Sequence, residues 1–187
     1  MSLLQAFAAV QPLSESAQQL LAAAIVEKDY PKGHVLLPFG QIPAYMHYLV
    51  KGAGRIYYLR DGLDVTDYLA LDQQFIGAVP ALITQSPSHK AIELLEDSLL
   101  QSIRYATFEE LCQQHLEIAN LGRKMALFGF LEGQQRVEDL RFLSAAERYE
   151  ELLRKHPTIT QRIPLKHLAS FLGTTQVSLS RIRSGKQ

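Results

Sequence analysis

Beyond Glu151 the chain has no acidic side chain, while Arg154, Lys155, Arg162, Lys166, Arg181, Arg183 and Lys186 supply cations. Concentrated cations suit the phosphates of a nucleic acid, because each Lys or Arg that meets a phosphate releases condensed counterions. The same composition also describes a solvated basic tail, so spacing has to narrow the choice. In the stretch 163–183, IPLKHLASFLGTTQVSLSRIR, Pro164 suits a first helical turn. Leu165, Leu168, Ala169 and Leu172 then share one face. Gly173 stands where that helix must stop and turn sharply. Thr175 is a favourable N-cap for a second helix that turns Leu179 and Ile182 inward. A small residue at 169, a glycine at 173 and apolar residues at 179 and 182 are what two short helices crossing near a right angle require. The second helix then turns Gln176, Val177, Ser180, Arg181 and Arg183 outward. Arg can grip guanine in bidentate fashion, Gln can grip adenine, and Val can touch a thymine methyl. Thr175, Ser178 and Lys166 complete the candidate DNA-contact set, with Ser and Thr able to meet phosphates or base edges. The competing reading is an amphipathic helical hairpin that caps a core.

Other chemistries find less support. His34, His47 and His89 are widely spaced, form no His-x-His pair and have no acidic residue in a ligand-like position, so no metal site is expected. Cys112 is single, which excludes an intramolecular disulfide and a multi-cysteine metal site. It is expected to be a buried structural thiol. No glycine-rich phosphate loop or nucleophile elbow is present, and no enzyme is expected. Arg55, Tyr57 and Tyr58 share one strand and could line a pocket, although alternation turns at least one of them outward.

The elements that must position these residues follow from patterning. The chain has 187 residues, 47% hydrophobic and 20% charged, which suffices for one large or two small globular domains. Formal net charge is zero but unevenly spread. Residues 1–140 hold 10 Lys+Arg against 16 Asp+Glu, and residues 141–187 hold 9 against 3. No run reaches the roughly 18 apolar residues of a membrane span, and the N-terminus has no basic region with a cleavage site. A cytoplasmic location is the expectation. Residues 1–30 read as helical, with Leu3, Leu4, Phe7, Val10, Leu13, Leu20, Leu21 and Ile25 at helical spacings. From 31 to about 106, short extended runs alternate with turn residues, and Asp61-Gly62 between GRIYYLR and DVTDYLAL predicts a tight hairpin. Such runs suggest a jelly roll, sandwich or small barrel. From Phe108 to His156 the pattern is helical again.

Within that helical stretch two stripes run side by side. Ile118, Leu121, Met125 and Phe128 form a large-residue stripe that turns polar at Glu132 and Gln135. Ala119, Gly122, Ala126, Gly129 and Gly133 form a stripe of small residues. An interior glycine costs about 1 kcal/mol relative to alanine, so three of them point to close approach of another backbone. A helix apolar on several faces must be covered on several sides. The expectation is that one side packs on its own β-domain and another pairs with a second copy. Ile118, Leu121, Gly122, Met125, Phe128 and Gly129 are the candidate dimer residues.

With these residues in view, the chain resembles the Crp/Fnr superfamily of bacterial transcription regulators over nearly its whole length. It looks most like the short members common in Bacteroidetes. The resemblance is carried by Tyr30-Pro-Lys-Gly33, Gly40, Val50-Lys-Gly52, Arg55-Ile-Tyr-Tyr58, Ile92-Glu-Leu-Leu-Glu-Asp-Ser98, and Ile163-Pro-Leu-Lys166 through Leu179-Ser-Arg-Ile-Arg183. It implies an α+β chain: a cyclic-nucleotide-binding-like jelly roll over 1–114, a dimerisation helix over 115–142 and a helix-turn-helix over 143–187. It also implies DNA as partner, a homodimer, and RNA polymerase as a further partner if the protein activates. Gln176, Val177 and Arg181 would take the base-reading positions. Two recognition helices of a two-fold dimer would sit about 34 Å apart.

The chain departs from the family at three points. The phosphate cassette of cyclic-nucleotide binders runs from a Gly-Glu pair to Arg-Ser/Thr-Ala. Here Gly77 and Ala91 match, but Ala78 replaces the Glu that meets the ribose, and the Arg-Ser/Thr pair falls on His89 and Lys90 with one extra residue between. The ribose clamp and the bidentate guanidinium are both missing, so cyclic AMP is not expected in the usual geometry. Gly77, Ala78, His89, Lys90, Ala91 and Arg55 form the candidate effector pocket. It either takes a small anion of another shape or holds nothing. Gln176-Val177 follow the capping Thr where related short members carry Pro-Glu, so site preference should differ. Four residues follow Arg183, too few for the winged hairpin of longer members, and a shallower salt dependence is the expectation. The alternative, from a different class, is a ligand-binding or cupin-like protein whose C-terminal hairpin serves assembly.

Overall fold

The computed structural model describes residues 1–185; Lys186, counted above among the tail cations, lies outside the described residues. Strands β1 (Ile25–Tyr30), β8 (Ser98–Arg104), β3 (Tyr45–Lys51) and β6 (Gln74–Ile76) form one antiparallel sheet in that order. Strands β2 (Val35–Leu37), β7 (Ala91–Leu94), β4 (Gly54–Arg60) and β5 (Leu63–Ala70) form the other. Their facing sides enclose a core that includes Leu37, Leu49, Ile56, Ala70, Ile76, Ile92, Leu94 and Leu100. This is the expected jelly-roll architecture, and it follows from period-2 alternation with one apolar face per strand. The Asp61-Gly62 hairpin between β4 and β5 forms as predicted, with φ of 53° and 75°.

The first thirty residues are helical only in part. Helices α1 (Leu3–Val10) and α2 (Glu15–Ala24) are present, but Ile25–Tyr30 is strand β1, paired antiparallel with β8. Ile25 fits a helical spacing and a strand equally well, and pairing with β8 decides the matter. The first sheet's outer side, with Tyr48 and Ile103, is covered by α1, α2, α4 (Tyr105–Gln114) and the start of α5 (Leu116–Phe142). The stretch from 108 to 156 is broken at His115 and at Leu143-Ser144, where Ser144 caps α6 (Ala145–Lys155) in a capping box with Glu147.

The second sheet's outer side is covered by the C-terminal helices. Leu69, Leu71 and Leu95 pack with Tyr149, Ile159, Ile163, Leu168 and Leu172. One apolar cluster thus joins the β-domain to α6, α7 (Ile159–Arg162) and α8 (Leu165–Phe171). A short helix α3 (Val79–Thr84) lies between β6 and β7. Among the described residues, no helix is long and apolar enough to cross a membrane.

Candidate functional site

The C-terminal hairpin forms as its spacing requires. Helix α8 ends at Phe171 with Leu172 as its C-cap, Gly173 takes φ +66°, and the Thr174 N–H donates back to Ala169 O at 2.9 Å. A non-glycine residue would resist that left-handed turn. Thr175 caps α9 (Gln176–Arg183), its Oγ1 accepting from the Ser178 N–H at 3.1 Å. Leu179 is fully buried against α8 and its neighbours, and Ile182 packs beside it. Gln176, Val177, Ser178, Ser180, Arg181 and Arg183 are all exposed. Thr175 and Lys166 are exposed too. Every residue of the expected contact set is thus solvent-exposed, and a single apolar seam orients α9.

How α8 is held was not legible in the sequence. Arg55, on β4, points out of the second sheet towards α8 rather than into the roll. Its guanidinium is bidentate to Asp64 (Nη2 to Oδ2, 2.7 Å) and reaches Glu93 through Nε at 2.9 Å. Its Nη1 lies 2.9 Å from His167 Nδ1 on α8, and it stacks on the Tyr57 ring at 4.0 Å. Beside it, the Thr66 N–H donates to Ser170 Oγ at 2.8 Å. Arg162, on α7, makes a second bridge, to Asp72 (2.6 Å), Glu96 (2.7 Å) and the Gly52 carbonyl (2.9 Å). Two arginines therefore tie the β-domain to the C-terminal helices, each between two carboxylates. Arg55 is correspondingly removed from the candidate effector pocket: alternation on β4 sends Ile56 inward and Arg55 outward.

These contacts set the titration behaviour of the interface. Burial, then the Arg55 charge, push His167 down from 6.5 to about 4. On the roll's inner face burial does the same to His47, which pairs with Ser102 Oγ at 2.7 Å. Burial opposes the charged form of Asp64, but the hydrogen bonds and charge of Arg55 outweigh it and hold the carboxyl below its usual value. A histidine lowered in the folded chain takes up its proton only on unfolding. Stability is therefore complete above about pH 6.5 and declines as pH falls towards 4. Asp64 extends the loss below the ordinary aspartate range. Urea unfolding at pH 7 and pH 5 should show a lower midpoint at pH 5; equal midpoints would contradict this reading.

The cassette residues take separate roles. Gly77 and Ala78 lead into α3, whose six residues carry no side-chain cap. His89 is exposed. Lys90 Nζ is 2.6 Å from Asp67 Oδ2, so the cassette lysine is already paired. Ala91 is buried at the start of β7. A cavity of about 410 Å³ lies elsewhere, between β5, the second half of α5 and the C-terminal helices. None of the six residues expected for the effector pocket lines it.

The long helix also redistributes its stripes. Ile118 and Leu121, expected on a dimer face, are fully buried against α1, α2 and α4, and Met125 packs on the same cluster. A Cβ on Gly122 would come within 3.4 Å of the Phe108 ring and Cys112 Sγ, so its small size serves α4 of the same chain. Gly129 and Gly133 have no neighbour within 4 Å of a built Cβ and line the cavity instead. Among those six, only Phe128, 58% exposed, presents a large apolar side chain to solvent. Leu127, Phe130, Leu131 and Val137 join it there. A heptad reading misses this because the N-terminal helices claim the first half of the stripe. Cys112 is a partly buried thiol as expected, raised to about 11 by burial and Glu109.

Comparison with known proteins agrees with this architecture. The cyclic nucleotide-binding domain family matches residues 27–115. No curated protein sequence matches the chain. Among solved structures, FixK2 from Bradyrhizobium japonicum is 19% identical over 86% of this chain and 83% of its own, with a TM-score of 0.73. A crp/fnr-family transcriptional regulator from Eubacterium rectale is 18% identical over 92% and 83%, with a TM-score of 0.68. The c-di-GMP-responsive regulator CLP from Xanthomonas campestris is 15% identical over 92% and 91%, with a TM-score of 0.67. Residues 27–115 thus match the cyclic nucleotide-binding domain family, and nearly the whole chain shares the fold of these solved Crp/Fnr-type regulators.

Proposed function

We propose that the protein is a homodimeric, sequence-specific DNA-binding transcription regulator and not an enzyme. The observation that carries this reading is α9: Leu179 and Ile182 dock it, while Gln176, Val177, Ser180 and Arg181 stand free on one face. Arg181 is the guanine reader, Gln176 meets adenine and Val177 favours a thymine methyl. Thr175, Ser178, Arg183 and Lys166 contact the backbone. The exposed apolar side of α5 pairs with its copy, which places two recognition helices for adjacent half-sites about 34 Å apart. RNA polymerase is a partner if the protein activates. Cyclic AMP is not the effector in the usual geometry, because Ala78 offers no ribose clamp and Lys90 is paired with Asp67.

The test is selection of randomised duplex DNA at near-physiological salt. An enriched inverted repeat is expected; only salt-sensitive, sequence-blind retention would count against the reading. On the selected site, Arg181→Ala should cost about 1–3 kcal/mol of affinity and relax preference at one position. Its unfolding midpoint should match the parent, since the side chain is exposed. Lost stability with unchanged DNA affinity would favour a hairpin used for assembly.

A further inference from the structure

The about 410 Å³ cavity between β5, α5 and the C-terminal helices lies within the range of small-molecule sites and at a junction of structural units, where such sites concentrate. Its walls include Leu69, Leu71, Leu140, Leu152 and Phe171. Gly129 and Gly133 on α5 keep one side of it open, since a Cβ on either would meet nothing.

Into this apolar space projects Arg136. Its guanidinium stacks on the Phe171 ring at 4.6 Å and is half-buried. Among the described residues no carboxylate or carbonyl is within hydrogen-bond or ion-pair distance of it. It thereby differs from Arg55, Arg148 and Arg162, whose donors are all engaged by carboxylates, carbonyls or His167. A half-desolvated guanidinium with no partner is costly unless something supplies acceptors. The neighbouring acid Glu132 acts on Arg136 only through its charge, from beyond hydrogen-bond distance, while its Oε1 accepts from the Tyr68 hydroxyl at 2.9 Å.

We infer that this cavity binds a small organic monocarboxylate with an apolar body, its carboxylate on Arg136 and its hydrocarbon among Leu69, Leu140, Leu152 and Phe171. A planar guanidinium matches a carboxylate in bidentate fashion. The lining balances Glu132, Asp139 and Glu151 against Arg136, Arg148 and Lys155, which leaves no excess of positive charge for a multiply charged anion such as a nucleotide. The site is separate from the cassette residues 77–91, none of which lines it. A ligand there touches β5, α5 and α8 together, which rests on the regulator reading for its consequence but not for its detection.

Isothermal titration of the full chain with octanoate, and with neutral octanamide as control, tests the site without any DNA. Saturable binding of one octanoate per chain is expected, weakened about tenfold or more in Arg136→Gln and in the cavity-filling Gly133→Leu, and weaker for the amide. Arg136→Lys, which keeps the charge but not the fork, should fall between. No binding of octanoate at millimolar concentration, equal binding of the amide, or unchanged binding in both variants would overturn the proposal. Melting temperatures without ligand establish that each variant is folded. Gly133→Leu sits at an exposed position and keeps the test decisive should Arg136→Gln prove unstable. Failure to select DNA alongside normal octanoate binding would refute the regulator reading alone.

Discussion

Arg55→Ala is expected to lower the free energy of unfolding by about 3 kcal/mol, read as a fall in urea midpoint. Removing one partner of a buried ion pair leaves its counter-charges uncompensated, at a cost of about 3–5 kcal/mol. The lower end applies here because Asp64 and Glu93 keep some solvent contact, at 41% and 27% side-chain exposure. The loss should appear where the β-domain meets α8, since Arg55 also faces His167 and borders the Thr66–Ser170 hydrogen bond. Hydrogen exchange should therefore quicken in α8 and α9 more than in β3 and β8. Arg55→Lys should not rescue it, because an ammonium cannot satisfy Asp64 in bidentate fashion and reach Glu93 as well. Uniform acceleration of exchange across the whole chain would show that Arg55 stabilises the roll and does not specifically hold the C-terminal helices.

The second large effect is expected on α5. Leu127, Phe130, Leu131 and Val137 are 43–62% exposed on a helix whose opposite side is already occupied by the chain itself. Their i, i+3 and i+4 spacing is that of a helix–helix seam. A patch of this kind on a folded chain marks an interface, and the long-helix pairing proposed above supplies its occupant. Light scattering of the parent at tens of micromolar should give a dimer mass. Leu131→Asp should give a monomer, because pairing would bury an unpartnered carboxylate. Affinity for the selected inverted repeat should then fall by about a hundredfold or more, since only one half-site would be engaged at a time. A parent that is monomeric under these conditions would remove the dimer from the proposed function. Leu121→Ala, by contrast, should lower stability without changing the mass, because Leu121 is buried in its own chain.

Local spacing determined much of this protein. Period-2 alternation and Asp61-Gly62 specified the roll and its hairpin. Gly173, Thr175, Leu179 and Ile182 specified two short helices and which side of the second faces out. These features are legible because they depend on backbone conformation and on neighbours a few residues away. The register of β1 was not, since Ile25 fits both periodicities until β8 pairs with it. The partners of a side chain distant in sequence were not legible either. Arg55 and His167 are 112 residues apart, and Arg162 and Asp72 are 90 apart. No spacing rule links such pairs; the chain brings them together only when the second sheet's outer face is covered by α8. The same holds for α5. Its amphipathic pattern announced burial on more than one side, but only the docking of α1, α2 and α4 decided that Ile118, Leu121 and Gly122 face inward and Leu127, Phe130 and Leu131 outward. Tertiary packing likewise assigned the glycines of the small-residue stripe, placing Gly122 against Phe108 and leaving Gly129 and Gly133 to open a cavity beside Arg136. A residue type sets which contacts are affordable, and the long-range topology decides which of them are made.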